Sequence, residues 1–111
     1  MKPIIKFEEF AKVDLRIGTI VKVEDFPKAR KPAYQLHIDF GDLGLRKTSA
    51  QITVLYTKED LLGKQIMAIV NFPKKQIANF MSECLVTGAV EAEKVFLLHS
   101  ETKVPNGTKV S

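Results

Sequence analysis

Apolar and polar residues alternate in several short stretches of the chain, the first two over residues 15–23 and 34–40. Successive side chains of a strand point to opposite faces, so this period of two predicts two half-buried strands. Residues 46–54 show a weaker form of the pattern and are predicted to be a third strand. Residues 66–72 are almost continuously apolar, which indicates a fourth strand that is buried on both faces or paired within a closed barrel.

Other segments carry helix, turn or weaker strand signals. Residues 7–13 have amphipathic spacing, and residues 57–63 begin with a capping threonine and end with glycine, so each segment predicts a short helix. Residues 74–80 are predicted to be a loop or a single helical turn. Two more strands are predicted over residues 84–90 and 95–98.

The order of these elements is three strands, a helix and then further strands, which is the order of the oligonucleotide-binding (OB) barrel. The sequence therefore predicts an all-β fold, a five-stranded Greek-key OB-fold barrel with short helices, in a single domain spanning residues 1–111. The barrel core needs about residues 14–90. The N-terminal extension (1–13) and the C-terminal extension (91–111) contain apolar residues that must be buried, either under the barrel or by dimerisation into a homodimer.

The composition is that of a small and mildly basic domain. The 111 residues include 17 Lys and Arg against 13 Asp and Glu, a formal net charge of +4. The excess lies in residues 26–80, which hold nine basic and four acidic residues. Three basic clusters, at 28–31, 46–47 and 74–75, each lie beside a turn. A fold that joins them would form an anion-binding face, and the alternative is an ordinary solvated surface.

Residues suited to catalysis or metal binding are not grouped in the sequence. Cys84 is the only cysteine, which excludes an internal disulfide and suggests a reducing compartment. His37 and His99 have no ligand spacing around them, and there is no nucleophile motif or glycine-rich phosphate loop. We therefore predict a protein that is not an enzyme and has no cofactor or metal. No leader or membrane span is evident, so we expect a cytoplasmic protein without membrane insertion.

Three ordered blocks form a recognisable pattern: residues 14–18 read Asp-Leu-Arg-Ile-Gly, residues 70–73 read Val-Asn-Phe-Pro, and residues 82–83 read Ser-Glu. They resemble the DLRVG, VNL.P and SEGM segments of the tRNA-binding domain (OB-fold) family. That domain occurs in methionyl-tRNA synthetases, in the bacterial phenylalanyl-tRNA synthetase beta chain and in endothelial-monocyte-activating polypeptide II. Further blocks resemble its stand-alone branch, the CsaA-type protein-secretion chaperones of bacteria: 26–33, 49–53, 63–65 and 104–109.

This resemblance covers about residues 7–111 and implies a homodimer of OB-fold barrels. It implies an export-related molecular chaperone that binds unfolded preproteins or peptides. In the tRNA-binding relatives the barrel recognises tRNA by shape, so the alternative is a structure-specific tRNA-binding protein that acts as a dimeric tRNA cofactor. A dimeric scaffold for another protein is a third possibility.

Two sets of candidate binding residues follow from these hypotheses. For a peptide, aromatic side chains beside the basic loops would line an apolar pocket: Phe26, Phe72 and Phe80. Each of the three could instead belong to the core, Phe72 most readily because it ends an apolar strand. For tRNA, basic side chains would meet phosphates and polar side chains would meet bases or ribose: Lys28, Arg30, Lys31, Lys47, Ser49, Gln51, Asn71, Lys74, Lys75 and Ser82.

Overall fold

The computed structural model describes residues 1–111, which form short antiparallel strands and two short helices. Neither helix has the length or the apolar character that crossing a membrane requires. The elements in chain order are α1 (Phe7–Ala11), β1 (Leu15–Asp25), β2 (Tyr34–Asp39), a 3-10 turn (Gly41–Leu43), β3 (Leu45–Ala50), α2 (Lys58–Leu61), β4 (Gln65–Ile69), β5 (Lys75–Ile77), β6 (Phe80–Ser82), β7 (Leu85–Val86), β8 (Gly88–Glu91), β9 (Lys94–Leu97) and β10 (Lys109–Val110).

Five strands form the barrel in the order β3-β2-β1-β4-β7, and every neighbouring pair is antiparallel. β4 returns to lie beside β1 after β1, β2 and β3 have paired in sequence, which is the Greek-key arrangement. β1 serves both halves of the barrel, since its first half pairs with β4 and its second half with β2. Its register shifts between Ile20 and Lys22, and such a bulge increases the coiling of a strand. The result is an OB-like barrel, as the order of the elements predicts.

Gly18 allows close packing inside the barrel. A Cβ atom at this position would lie 2.7 Å from Ile38 Cγ2 and 2.7 Å from Phe40 Cδ1, well inside van der Waals contact. The sequence predicts a bend at Gly18. The structure adds that the ring of Phe40 lies directly against the backbone of β1, where no side chain has room.

One hydrophobic core fills the barrel and draws on the strands, on α2 and on β9. α2 begins at a capping box, in which Thr57 Oγ1 accepts a hydrogen bond from Asp60 N–H and an Asp60 carboxylate oxygen accepts one from Thr57 N–H. This cap fixes the helix so that Leu61 is fully buried. The buried residues of the core are Ile20, Leu36, Ile38, Phe40, Ile52, Leu61, Ile66, Ala68, Val70, Cys84 and Leu97.

Individual hydrogen bonds, rather than a regular ladder, join β3 to the segment that leads into β7. Glu83 N–H donates to the Lys47 carbonyl over 2.8 Å, and the Thr48 hydroxyl donates to the Cys84 carbonyl over 2.7 Å. β5 and β6 pair with each other as a separate hairpin, and β6 contacts β3. The barrel is therefore nearly closed, and we call this junction the seam.

Two predicted elements differ from the structure. Residues 74–80, predicted to be a loop or a helical turn, contribute most of the β5–β6 hairpin, whose turn holds Ala78 at a φ of 52°. Strands of three residues are too short to show a recognisable alternation. The strand predicted over residues 84–90 is divided, because Leu85–Val86 pairs with β4 whereas Gly88–Glu91 pairs with β9.

The C-terminal extension packs against its own barrel. Gly107 N–H donates to the Ile17 carbonyl over 2.7 Å, and Asn106 Oδ1 accepts hydrogen bonds from the Thr19 hydroxyl and from Gln65 Nε2. β10 then pairs with the start of β1, and β9 contributes to the main core. Of the two ways to bury the C-terminal extension, the structure therefore shows packing against its own barrel.

The N-terminal extension leaves an apolar surface uncovered. No residue of α1 is buried, and the rings of Phe7 and Phe10 contact each other with their centres 6.3 Å apart. Ile4 and Ile5, which precede the helix, are also exposed. We call Ile4, Ile5, Phe7 and Phe10 the N-terminal patch.

Candidate ligand-binding face

A cleft of about 340 Å³ opens at the seam of the barrel, and we call it the seam cleft. Its walls come from β3, from the residues after β4, from the β5–β6 hairpin and from the start of β7. It combines apolar side chains with a few polar groups, which is typical of binding clefts. The cleft is lined by Thr48, Ser49, Phe72, Pro73, Lys75, Ile77, Ser82, Cys84 and Leu85.

Hydroxyl groups join the two walls of the seam cleft. Thr48 is buried, and its hydroxyl donates to the Cys84 carbonyl while lying 2.8 Å from the Ser82 hydroxyl. Either of these two hydroxyl groups can be the donor in the bond between them. Ser82 Oγ also accepts a hydrogen bond from Ser49 N–H at 3.4 Å. Ser82 therefore connects β6 to β3 at this cleft.

Cys84 lines the cleft as a packing group. Burial raises the pKa of its thiol to about 12, so the thiol stays protonated at neutral pH. No group of three or more His, Cys, Asp or Glu side chains is arranged to hold a metal ion. The cleft thus offers shape, apolar contact and hydrogen bonds.

A second hydrophobic cluster anchors the basic loop between β1 and β2 beside the cleft. Phe26 and Ala33, at the two ends of the loop, pack with Phe80 of β6. The rings of Phe26 and Phe80 have their centres 5.5 Å apart and are tilted by 57°. Lys47 Nζ lies 5.0 Å from the centre of the Phe80 ring, which is a cation–π contact. The loop, the hairpin and β3 are therefore fixed relative to one another.

Contacts connect the basic loop, β3 and the residues that begin the hairpin, and each of these segments carries cations. The loop carries its three cations in exposed positions, and the hairpin begins with two exposed lysines. Lys47 of β3 lies over the aromatic ring that connects the loop to the hairpin. We call these six side chains the basic face: Lys28, Arg30, Lys31, Lys47, Lys74 and Lys75.

The other polar candidates for RNA contact occupy different positions. Ser49 and Ser82 line the seam cleft, and Gln51 is exposed just after β3. Asn71 Nδ2 donates to the Lys12 carbonyl over 2.7 Å, and its Oδ1 accepts from Asp14 N–H over 2.9 Å. The Asn71 amide thus holds the N-terminal segment against the end of β4.

Among the three aromatic candidates for peptide contact, Phe72 alone is exposed. Phe26 and Phe80 are only 4% and 8% exposed, because their rings pack on each other and on Ala33. This corrects the expectation that they line an open pocket, since they anchor the basic loop from beneath. Phe72, the one placed most readily in the core by its sequence position, is 50% exposed and lines the seam cleft.

Sequence reasoning missed two residues of this region. Leu85 is an exposed apolar side chain in the cleft wall. Glu83 accepts a hydrogen bond from Lys47 N–H over 3.0 Å, and its other carboxylate oxygen lies 3.5 Å from Lys74 Nζ. The available signal was an acidic residue within the Ser-Glu block, on a chain whose nearby turns are basic.

Residues 15–109 match the family described as "Putative tRNA binding domain". Because the match covers most of the chain, the chain belongs to this tRNA-binding domain family, as the three sequence blocks indicate. Two solved structures are similar along nearly their whole length, and both are chaperones of the CsaA type. The chain is 54% identical to CsaA from Bacillus anthracis str. Ames, with a TM-score of 0.94 over 98% of this chain and 100% of that one. It is 50% identical to CsaA from Picrophilus torridus, with a TM-score of 0.92 over 97% and 100%.

Similarity to curated proteins extends to methionine–tRNA ligases. The chain is 37% identical over 106 residues to the enzyme of Pyrococcus furiosus, which covers 96% of this chain but 14% of the ligase. The chain therefore spans a small part of the length of these relatives, and their similarity concerns one domain.

Proposed function

We propose that this protein is an export-related chaperone of the CsaA kind, which binds unfolded preproteins or peptides and does so without catalysis. The observation that carries the proposal is the seam cleft, in which the half-exposed ring of Phe72 and the side chain of Leu85 face solvent beside Lys75. Exposed apolar surface is what captures an unfolded chain, and neighbouring charge keeps the binding protein in solution. The near-complete similarity to two CsaA chaperones supports the proposal.

Replacing Phe72 by alanine is expected to weaken binding of an unfolded protein about tenfold, because covering an aromatic ring contributes on the order of 1 to 2 kcal/mol. The measurement is fluorescence anisotropy with a reduced and carboxymethylated protein that cannot refold. Leu62→Ala is the matched control, since Leu62 is similarly exposed but lies at the end of α2, outside the seam cleft. Equal losses in the two variants would contradict the proposed site.

The second candidate function is tRNA binding. The basic face favours it, because its cations come from three segments that contact one another and could meet the phosphates of one RNA. The seam cleft, which Lys75 also lines, offers Ser49 and Ser82 as polar groups for bases or ribose. Family membership supports the same function.

A salt titration of both ligands, side by side, separates the two functions. Binding through phosphates releases counterions, so the logarithm of the tRNA affinity should fall linearly with the logarithm of the salt concentration. Capture of an unfolded protein by apolar contact should persist or strengthen in salt. If the affinity for the unfolded protein falls with salt as steeply as the affinity for tRNA, the assignment of Phe72 as the main contact for the unfolded protein is contradicted.

We also infer that the working unit is a homodimer and that residues 1–13 contribute to its interface. The N-terminal patch is uncovered in the single chain, and a cleft of about 430 Å³ lies between α1 and β10. This cleft is lined by Phe7 and Phe10 from one side and Val110 from the other. A second copy would remove these apolar groups from water.

Replacing Phe7, which is 75% exposed, by aspartate is expected to convert the dimer to a monomer while leaving the barrel folded. A buried carboxylate in the interface is unfavourable, whereas in the single chain the substituted side chain would face water. Sedimentation velocity at micromolar concentration is the measurement, with Val54→Asp as an exposed control on another surface. A monomeric unaltered chain at that concentration would defeat the inference.

A further inference from the structure

Glu83 lies where β3, the β5–β6 hairpin and β7 meet. Its backbone N–H donates to the Lys47 carbonyl over 2.8 Å, and its carboxylate Oε1 accepts from the Lys47 N–H over 3.0 Å. Two hydrogen bonds in opposite directions thus connect the same two residues across the seam. They replace the strand ladder that is missing there, so Glu83 fixes the spacing between β3 and the end of the hairpin.

The same carboxylate also faces one cation of the basic face, Lys74. Glu83 Oε2 lies 3.5 Å from Lys74 Nζ, and Arg46 lines the same small pocket while its Nη1 donates to the Val70 carbonyl. The hydrogen bond from Lys47 N–H, followed by attraction to Lys74, lowers the pKa of Glu83 below its usual value. The carboxylate is therefore ionised at neutral pH and holds Lys74 in an ion pair.

We propose that Glu83 is a positioning residue of the basic face, which aligns the hairpin with β3 and holds Lys74 in an internal ion pair that an RNA phosphate must displace. The inference rests on the proposed tRNA-binding function. Lys74 belongs to the surface that would contact RNA. Its partner, the Glu83 carboxylate, is held in place by a hydrogen bond from the backbone N–H of Lys47. Glu83 thereby limits how much positive charge the free protein presents.

The substitution Glu83→Gln separates the charge of this residue from its hydrogen bond. The amide oxygen of glutamine can still accept from Lys47 N–H, whereas the attraction to Lys74 is lost. We expect the variant to bind a tRNA transcript about fivefold more tightly at about 0.1 M salt, with a salt dependence steeper by nearly one counterion. A purely structural role predicts weaker binding with an unchanged salt dependence, and that result would overturn the proposal.

A double-mutant cycle with Lys74→Ala gives the second readout. In the unaltered protein, the free energy gained when Lys74 contacts a phosphate is offset by the free energy lost when its ion pair with Glu83 breaks. Replacing Lys74 should therefore lower the tRNA affinity less than twofold. In the Glu83→Gln background the lysine is free, and its removal should cost about fivefold. Equal losses in the two backgrounds would show that Glu83 does not restrain Lys74.

An RNA-free measurement keeps this inference distinct from the proposed function. The Lys47 amide resonance should titrate with Glu83, with a midpoint below the ordinary glutamate pKa of about 4.3, and should lose that titration in Glu83→Gln. If the amide titrates and tRNA does not bind, the proposed tRNA-binding function fails and the displacement step fails with it. If tRNA binds while the cycle shows no coupling, the inference about Glu83 alone fails.

Discussion

Replacing Lys28, Arg30 and Lys31 together by alanine is expected to lower tRNA affinity roughly a hundredfold at about 0.1 M salt. Each cation that neutralises a phosphate contributes about 0.7 to 0.9 to the slope of log affinity against log salt, so the slope should decrease in magnitude by about 2. All three side chains are exposed on a loop that Phe26 and Ala33 anchor from beneath. The fold should therefore be unchanged, as circular dichroism can check.

The matched control removes the same charge elsewhere. Lys22, Lys94 and Lys103 are exposed and lie outside the basic face, so their combined replacement by alanine changes the net charge equally. We expect that control to reduce tRNA affinity only slightly, because these lysines lie outside the surface proposed to contact the phosphates and salt screens exposed charges. Similar losses in the two triple variants would show that net charge, rather than the basic face, determines binding.

The second large effect concerns stability. Phe40→Ala is expected to reduce the free energy of unfolding by about 4 kcal/mol, since it removes a fully buried ring and leaves a cavity. Domains of this size are stable by about 5 to 15 kcal/mol, so the variant should approach the limit of folding. Urea denaturation at one fixed protein concentration is the measurement, because dimer formation would make stability concentration-dependent.

Phe72→Ala is the control for this prediction, since it deletes the same side chain from an exposed position. Its cost should stay below about 1 kcal/mol. The two variants thus separate a ring that stabilises the fold, Phe40, from a ring proposed to bind unfolded proteins, Phe72. A Phe72→Ala variant as unstable as Phe40→Ala would place both rings in the core and contradict the exposed cleft.

The barrel was predictable because its long strands carry apolar residues at alternate positions. In β2 the alternation in the sequence matches the burial, since Leu36 and Ile38 are buried between less buried neighbours. In β1 the match ends at the bulge, where Ile20 is buried and Val21 is 45% exposed. The β5–β6 hairpin was not predicted because each of its strands has only three residues, too few to show an alternation. β7 and β8 were predicted as one strand because a change of pairing partner does not alter the hydrophobic pattern of the sequence.

The positions of the charged residues of the candidate site were predictable from the sequence, whereas the burial of its aromatic residues was predictable only in part. Cations beside turns stay exposed whatever the details of the fold, so the positions of Lys28 and Lys74 followed from the pattern. Aromatic residues are different, because their burial depends on partners that are distant in sequence. Phe26 and Phe80 are buried because the fold brings them together, and Phe72 is exposed because the apolar strand ends before it.

The pairing of β10 with β1 has a consequence for how the chain folds. The side chain of Arg16 in β1 also donates to the Gly107 carbonyl just before β10, a contact between residues 91 positions apart. Closing so long a loop is slow, and proteins dominated by such pairings fold in roughly milliseconds to seconds. During synthesis, the first residues of β1 are left without this neighbour until β10 has left the ribosome. The same strand end is then open to pairing with other chains, so the interval before β10 docks is the period of greatest risk of aggregation.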